Sequence, residues 1–192
     1  MNHVIRAVRP DEWARAKEIR LSALQDPAAP VAFLETYEQA LEQPDSFWQE
    51  RTANSLSRHG VRAGQFIAEA PDGTWSGTVT MLIEEAGGTD FLGATSARAQ
   101  GHLVGVFVRP EQRGTGLLGA LVDAALDWAW SLEEPRLARV RLHVHEGNPR
   151  AQAAYRKLGF VPTGKSLPLE DNSSVAPGRE LELAIDRAID RA

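Results

Sequence analysis

The chain has 192 residues, of which 43% are hydrophobic, so it is long enough to bury a continuous core. Its formal net charge of −5 at pH 7 argues against a nucleic-acid partner, because binding to a phosphate backbone requires basic surface. It contains no cysteine, which excludes disulfides and a catalytic thiol.

The first part of the chain predicts one short strand followed by helices. Residues 4–8 form an apolar strand, and a helix begins at Pro10. The proline-rich segment 26–30 breaks this helix. Two further helical pieces are predicted over 32–42 and 45–55.

The pattern then changes to the alternation that is typical of strands. Residues 65–70 and 75–83 predict two strands, joined by the turn signal Pro71-Asp72-Gly73. Residues 86–101 form a long loop rich in glycine, alanine and threonine, and loops of this length are commonly functional. A strongly apolar strand follows over 102–108.

The next elements alternate between helix and strand. A helix is predicted over 114–132, with Leu118 and Trp128 on its core-facing stripe. The next strand covers 139–144. This β-α-β order is typical of parallel strands joined by a crossover helix.

The last part of the chain predicts one helix and two closing strands. The helix opens at Asn148-Pro149 and stops at Gly159. Strands are expected from Phe160 onward and over 178–185, with a loop over 166–177 between them.

These elements predict an α/β fold with a mixed, twisted central sheet flanked by helices. Since neither an internal repeat nor a linker is visible, residues 1–192 are expected to form a single domain. No apolar run approaches the roughly 20 residues of a membrane span, and the first residues lack the apolar segment of a signal peptide. We therefore expect a cytoplasmic protein that does not contact a membrane.

The most informative segment joins the apolar strand to the long helix. It reads Val106-Phe107-Val108-Arg109-Pro110-Glu111-Gln112-Arg113-Gly114-Thr115-Gly116-Leu117-Leu118-Gly119. The first N–H groups of a helix have no partners inside it, and they carry the positive end of its dipole. Because glycines let a ligand approach the main chain closely, the segment predicts a cradle for a phosphate or diphosphate. Arg113 could add a direct charge.

Two nucleotide-binding alternatives fit this segment less well. A Walker A loop is excluded because no lysine follows Gly119. The residues from Gly114 to Gly119 do match the dinucleotide pattern G-x-G-x-x-G. However, Pro110 to Arg113 intervene after the strand, and the acidic pair Glu133-Glu134 precedes the next strand instead of ending it.

The segment resembles motif A of the GNAT superfamily of N-acetyltransferases, whose signature is Arg/Gln-x-x-Gly-x-Gly/Ala. Leu118 departs from this pattern, because it stands where glycine or alanine is usual. A second stretch resembles motif B, with Asn148, Tyr155 and Gly159-Phe160 in the family's order. The close resemblance covers residues 102–161, and two motifs in order are more specific than either alone.

The resemblance implies a GNAT-like acyl-CoA N-acyltransferase fold with acetyl-CoA as co-substrate. It also implies direct attack by an amine in a ternary complex, which agrees with the absence of cysteine. The oxyanion would be stabilised by a main-chain N–H near the end of the strand that precedes motif A. The expected cofactor-binding residues are Val106, Phe107, Val108, Arg113, Gly114, Thr115, Gly116, Leu117, Leu118, Gly119 and Asn148.

The expected catalytic residues are Tyr155 and His102. Tyr155 matches the family's tyrosine, and a phenol can protonate a thiolate leaving group; the alternative is a plain core residue. His102 is the candidate base, and the alternative is a surface histidine at the end of a strand. Further candidates for the base are Glu69, Glu84, Glu146 and a chain of water molecules.

No metal is expected. The histidines at 143 and 145 share one face of a strand, but a third ligand is not apparent. The expected acceptor is a small-molecule or peptide amine, and the sequence leaves a homodimer open. Two other functions remain as alternatives: a non-catalytic acyl-CoA-binding sensor or scaffold, and a dinucleotide-dependent oxidoreductase.

Overall fold

The computed structural model describes residues 2–54, 63–88, 95–169 and 176–188. Within these residues, seven strands form one sheet in the order β1-β2-β3-β4-β5-β7-β6. Short 3-10 turns cover Pro10–Glu12, Ala29–Val31 and Pro110–Gln112. The strands and helices are β1 (Val4–Ala7), α1 (Trp13–Leu24), α2 (Tyr37–Leu41), α3 (Asp45–Asn54), β2 (Ala63–Glu69), β3 (Trp75–Glu84), β4 (Gln100–Val108), α4 (Leu117–Ser131), β5 (Arg139–His145), α5 (Pro149–Lys157), β6 (Val161–Leu169) and β7 (Gly178–Asp186).

The sheet is mixed, as predicted. β4 and β5 pair in parallel, because α4 returns the chain to the starting edge between them. The other neighbouring strands pair antiparallel. The predicted α/β class with helices on the sheet is thereby confirmed.

Helices cover both faces of the sheet. In β2, Phe66 and Ala68 belong to the hydrophobic core that contains the buried side of α4, with Leu121 at its centre. Ile67 belongs to a second core together with Ile19 of α1. Because successive side chains of a strand point to opposite faces, α1 and α4 lie on opposite sides of the sheet.

Two predicted helices begin later than expected. The helix predicted over 32–42 is confined to Tyr37–Leu41, since Thr36 starts it with a capping box. The Thr36 hydroxyl accepts from the N–H of Gln39, and the Gln39 side chain accepts from the N–H of Thr36. The helix predicted from 114 begins at Leu117, because the glycine that precedes it is left-handed with φ of 88°.

The predicted core-facing stripe of α4 is confirmed in part: Leu121 and Ala125 are fully buried, and Leu118 and Trp128 are partly buried and pack against the same core. Leu117 and Val122 are buried as well and were not predicted. The loop predicted over 166–177 starts too early. β6 continues to Leu169, which pairs with the first residue of β7, and residues 170–175 lie outside the described residues.

We expect Gly77→Ala to destabilise the fold. A Cβ at Gly77 would lie 2.9 Å from the carbonyl oxygen of Phe107 and 3.0 Å from Cδ1 of Leu121. Because the main chain of a neighbouring strand cannot move aside, the free energy of unfolding should fall by about 1–3 kcal/mol in urea denaturation.

The matched control is Gly119→Ala in α4. Its Cβ would meet Cδ2 of Leu158 at 3.5 Å, an ordinary van der Waals contact. Since alanine is favoured over glycine in a helix by up to about 1 kcal/mol, this variant should be as stable as the parent or more so. Equal losses in both variants would contradict the packing argument.

Candidate active site

A cleft opens where β4 and β5 separate. The parallel register joins Gly101–Leu103 to Val140–Leu142, whereas β4 runs on to Val108 and β5 runs on to His145. The resulting β4–β5 cleft has a volume of about 610 Å³. Its walls come from these two diverging strands, the start of α4, one side of α5 and the segment after α1. This volume is within the usual range for small-molecule sites.

A β-bulge shapes the β4 side of the cleft. Thr78 pairs with Phe107 and Thr80 pairs with Val104, so β4 contains one more residue than β3 between these pairs. Gly105 takes up the extra residue with φ of 59°, which is a left-handed conformation. The three strand residues predicted to bind the cofactor, Val106, Phe107 and Val108, all line the cleft beyond this bulge.

The N-terminus of α4 faces the same cleft. Gly114 and Gly116 have φ of 80° and 88°, and a Cβ on either would meet no atom within 4 Å. Gly116 is the N-cap residue, and it has no side chain with which to cap the first N–H groups of the helix. These two glycines line the cleft together with Leu118 and Gly119. The main chain is therefore open to a ligand at the positive end of a 15-residue helix.

Two of the predicted cofactor-binding residues turn their side chains elsewhere. The side chain of Leu117 is buried in the core beneath α4. The hydroxyl of Thr115 donates to the carbonyl oxygen of Gln112 at 2.7 Å. Any contact between these two residues and a diphosphate would therefore come from their main-chain N–H groups.

Arg113 lines the cleft but is held on both sides. Its Nε donates to the carbonyl oxygen of Val108 at 2.9 Å, and its Nη2 forms an ion pair with Asp26. The side chain thus ties the turn before α4 to the segment after α1. Two further cations, Arg150 and Lys157 of α5, line the cleft and were not identified from the sequence.

Asn148 and Tyr155 are both placed by α5. The Asn148 Oδ1 accepts from the N–H of Ala151 at 3.1 Å, so the residue caps the helix as well as lining the cleft. The Tyr155 side chain packs edge-to-face on Phe160 with ring centroids 6.1 Å apart. Tyr155 is only 8% exposed, and it too lines the cleft. Its core role and its access to the cleft therefore coexist.

The phenol of Tyr155 is protonated at neutral pH. Burial raises the pKa of Tyr155 above its ordinary value, and the nearby Glu180 raises it further. Glu180 lines the cleft from β7, opposite His145 in the antiparallel register. Burial raises the pKa of Glu180 to about 6, although His145 partly offsets this effect.

Glu180 was missed by the sequence reasoning, although a signal was present. In β7, Glu180 and Glu182 alternate with Leu181 and Leu183, which is the pattern of a strand with one apolar face. The two leucines pack on the core beneath α4. The glutamates consequently lie on the opposite face, where the cleft opens.

His102 is not the surface histidine that the alternative interpretation predicted. It is 1% exposed, and its Nδ1 lies 2.8 Å from Oε1 of Glu84. Its Nε2 lies 3.1 Å from Nδ1 of His143, a residue that does line the cleft. Glu69, another candidate base, is engaged by ion pairs with Arg6 at 2.8 Å and Arg15 at 3.0 Å.

The pKa of Glu84 is about 2, well below its ordinary value. Burial on its own would raise this pKa, but the hydrogen bonds from His102 and Arg141 to the carboxylate outweigh that effect. Glu84 is therefore an ionised hydrogen-bond acceptor at neutral pH.

In the part of the chain that the structure describes, no three His, Cys, Asp or Glu side chains are arranged to hold a metal ion. His143 and His145, which were considered as a pair of metal ligands, are each hydrogen-bonded. His143 contacts His102, and Nδ1 of His145 accepts from the N–H of Gly147. None of the helices within the described residues combines the length and apolarity needed to cross a membrane.

Comparison with known proteins identifies similar sequences and folds. The family described as "Acetyltransferase (GNAT) family" matches residues 13–160. The spermidine N(1)-acetyltransferase of Vibrio cholerae is 34% identical over 59 residues, which are 31% of this chain and 33% of that protein. The chain therefore aligns with about a third of the length of this curated relative.

Two solved structures share the fold over nearly the whole chain. One is a chimera of the spermidine N-acetyltransferase SpeG from Vibrio cholerae and hSSAT, with a TM-score of 0.66 and 18% identity, covering 97% of this chain and 96% of that chain. The other is NAA60 of Arabidopsis thaliana in complex with acetyl-CoA, with a TM-score of 0.68 and 16% identity, covering 96% and 98%.

We expect Glu180→Gln to stabilise the protein near neutral pH. The pKa of Glu180 is raised to about 6 in the folded protein, whereas its ordinary value is 4.5. The carboxyl group therefore makes its full contribution to stability below pH 4.5, and this contribution is lost as pH rises through about 6. Glutamine does not ionise, so the variant should match the parent near pH 4. It should exceed the parent by up to about 2 kcal/mol at pH 7–8, as measured by chemical denaturation.

The control is Glu133→Gln, because Glu133 is exposed. Its stability difference from the parent should not change between pH 4 and pH 8. A similar pH dependence in both variants would show that burial of Glu180 is not the cause.

Proposed function

The chain belongs to the GNAT family of acetyltransferases, and on that premise we propose that it transfers an acetyl group from acetyl-CoA directly to an amine acceptor. Both substrates would be bound together in a ternary complex. One observation carries the proposal: the β4–β5 cleft is lined by the open N-terminus of α4, the bulged strand β4 and the buried phenol of Tyr155.

The residues of the cleft suit the parts of acetyl-CoA. A diphosphate would be held by main-chain N–H groups from Gly114 to Gly119, with Arg113 fixing the turn. Arg150 and Lys157 add positive charge to the cleft wall, as phosphate groups require. An extended arm would lie along β4 from Val106 to Val108, where the parallel register with β5 has ended.

The residue at the unusual motif position lines the cleft. Leu118 stands where glycine or alanine is typical, and its side chain lies on the cleft wall. The neighbouring Gly119 faces the cleft as well, so main-chain N–H groups remain available at the helix start. Leu118 therefore alters the shape of the wall without removing the donors on which the diphosphate site depends.

Tyr155 is assigned as the general acid. Acetyl-CoA supplies the thioester, whose carbonyl carbon the amine attacks, and the departing thiolate needs a proton. Tyr155 lies on the cleft wall, and its raised pKa means that the phenol still carries its O–H when the thiolate leaves. A main-chain N–H of β4 near the bulge would donate to the oxyanion.

The acceptor is assigned as a small-molecule or peptide amine. The relative in Vibrio cholerae is named for spermidine, a polyamine, which supports an aliphatic amine. Glu180 places a carboxyl group in the cleft beside Tyr155, and the negative form of this group would attract an ammonium ion. The positively charged side chains of the cleft, Arg150 and Lys157, suit the phosphates of acetyl-CoA instead.

We expect release of free CoA from acetyl-CoA only when an amine is added. The test is a thiol assay with a panel that contains spermidine, free amino acids and a peptide with an unblocked N-terminus. CoA should also raise the melting temperature, whereas NAD and NADP should not. Stabilisation by CoA without turnover of any amine would favour the non-catalytic binding module.

Tyr155→Phe should lower kcat by about 10²–10³-fold because the variant cannot protonate the thiolate. The affinity for acetyl-CoA should change little, since the aromatic ring and its packing on Phe160 remain. The matched control is Tyr37→Phe, which removes the other tyrosine hydroxyl of the chain from α2. Near-normal turnover by Tyr155→Phe would rule out the assigned role.

A further inference from the structure

We propose that His143 is the general base that deprotonates the amine, and that His102 and Glu84 position it through a buried chain of hydrogen bonds. This inference deepens the proposed function and rests on it. It differs from the sequence prediction, which assigned the base to His102 itself.

The three side chains form a continuous line across three neighbouring strands. Oε1 of Glu84 in β3 lies 2.8 Å from Nδ1 of His102 in β4. Nε2 of His102 lies 3.1 Å from Nδ1 of His143 in β5. His143 is the first residue of β5 after the parallel register ends, and it lines the β4–β5 cleft. The line therefore leads from a buried carboxylate to the cleft wall that also carries Tyr155.

The proposed role requires one arrangement of the protons along this line. Glu84 is ionised, so it only accepts, and Nδ1 of His102 must donate to it. A base at His143 requires both imidazoles to be neutral before the amine binds, and in that state Nε2 of His102 accepts from Nδ1 of His143. Neutral His143 therefore carries its lone pair on Nε2, which is the form that a base requires.

The carboxylate at the buried end cannot turn away. Arg141 binds both of its oxygens, with Nη2 2.8 Å from Oε1 and Nε 3.0 Å from Oε2. Gln100 also donates to Oε2 of Glu84 at 2.9 Å. Because both oxygens of Glu84 are held, the ring of His102 that bonds to it is held in one orientation. The Nδ1–H of His143 is then directed toward Nε2 of His102.

The charged groups around the histidines are balanced. Glu84 on β3 and Glu182 on β7 contribute two carboxylates, and Arg139 and Arg141 on β5 contribute two guanidinium groups. Oε2 of Glu182 lies 3.9 Å from Nε2 of His143, too far for a hydrogen bond but close enough to stabilise an imidazolium.

Two protons leave the amine in the proposed step. Nε2 of His143 takes the first from the ammonium group of the acceptor and later releases it to solvent through the cleft. The freed amine forms the C–N bond, the C–S bond breaks, and Tyr155 gives its proton to the thiolate. The phenolate then regains the second proton, which the nitrogen loses as the amide forms.

The main experiment compares His143→Gln with the parent across pH 5.5–9. In the parent, kcat/KM should rise with pH through the titration of a histidine, near pH ~6.5. In His143→Gln, kcat/KM should fall by about 10²–10³-fold and this rise should disappear, with the acetyl-CoA affinity retained. In His143→Ala, added imidazole should restore part of the activity.

Two further variants distinguish a positioning role for His102 from a purely structural one. His102→Gln should lower kcat and alter the pH profile without raising the KM for acetyl-CoA, as expected of a positioning residue. His3→Gln is the control, because His3 bonds to Ser76, away from the histidine pair, and should retain parental activity. The proposal would be overturned if His143→Gln kept the parental dependence of kcat/KM on pH. It would also be overturned if the rise of kcat/KM with pH disappeared in Glu180→Gln and not in His143→Gln.

A measurement on the unmodified protein keeps the test independent of variant folding. Nitrogen-15 NMR should show both His102 and His143 with the proton on Nδ1 at pH 8, and His143 should titrate at the midpoint of the kcat/KM rise. The Nε2–H tautomer at His143 would overturn the relay. If the parent acetylates no amine, the proposed function fails instead, while the tautomers still report whether the hydrogen-bonded line exists.

Discussion

The early end of parallel pairing between β4 and β5 is the constraint on which the whole site depends. The register stops at Leu103 and Leu142, and both strands then continue apart. Main-chain groups at such an opening need hydrogen-bond partners, and an extended ligand can supply them as a further strand would. The same opening gives Tyr155 and His143 access to one cleft. A sheet paired over its full length would have buried both side chains away from any substrate.

A second feature is the ionic layer on one face of the sheet. Glu84, His102, Arg141 and Glu182 are each buried or nearly so, and all of them are hydrogen-bonded. Such groups cost free energy unless every partner is present, so the layer specifies the strand register on this face. The opposite face of the same strands is apolar, with Leu103 and Leu142 among its core residues. The polar face can therefore serve chemistry while the apolar face stabilises the fold.

Much of the fold and part of the site could be predicted from local patterns. Alternation and helical periodicity located the strands and the two central helices, because each depends on neighbouring residues in the chain. The glycines of the α4 turn predicted an open main chain, and Gly114 and Gly116 indeed adopt the left-handed conformation. The helix starts at Tyr37 and Leu117 were placed too early. In both cases the cap residue decides the first turn, and apolar spacing does not report it.

By itself, the sequence determined the order of the elements, the glycine turn before the long helix and the family to which its motifs belong, since these properties are encoded within short segments. Only the tertiary structure decided what each polar side chain faces. It pins Arg113 between Asp26 and Val108, buries His102 behind His143 and brings Glu180 into the cleft. Asp26 and His143 are distant in sequence from their partners Arg113 and His102, and Glu180 reaches the cleft because the sheet order places β7 beside β5. A local pattern can indicate the face of a strand on which a side chain lies, as it does for Glu180, but it does not give the partners that the side chain meets there.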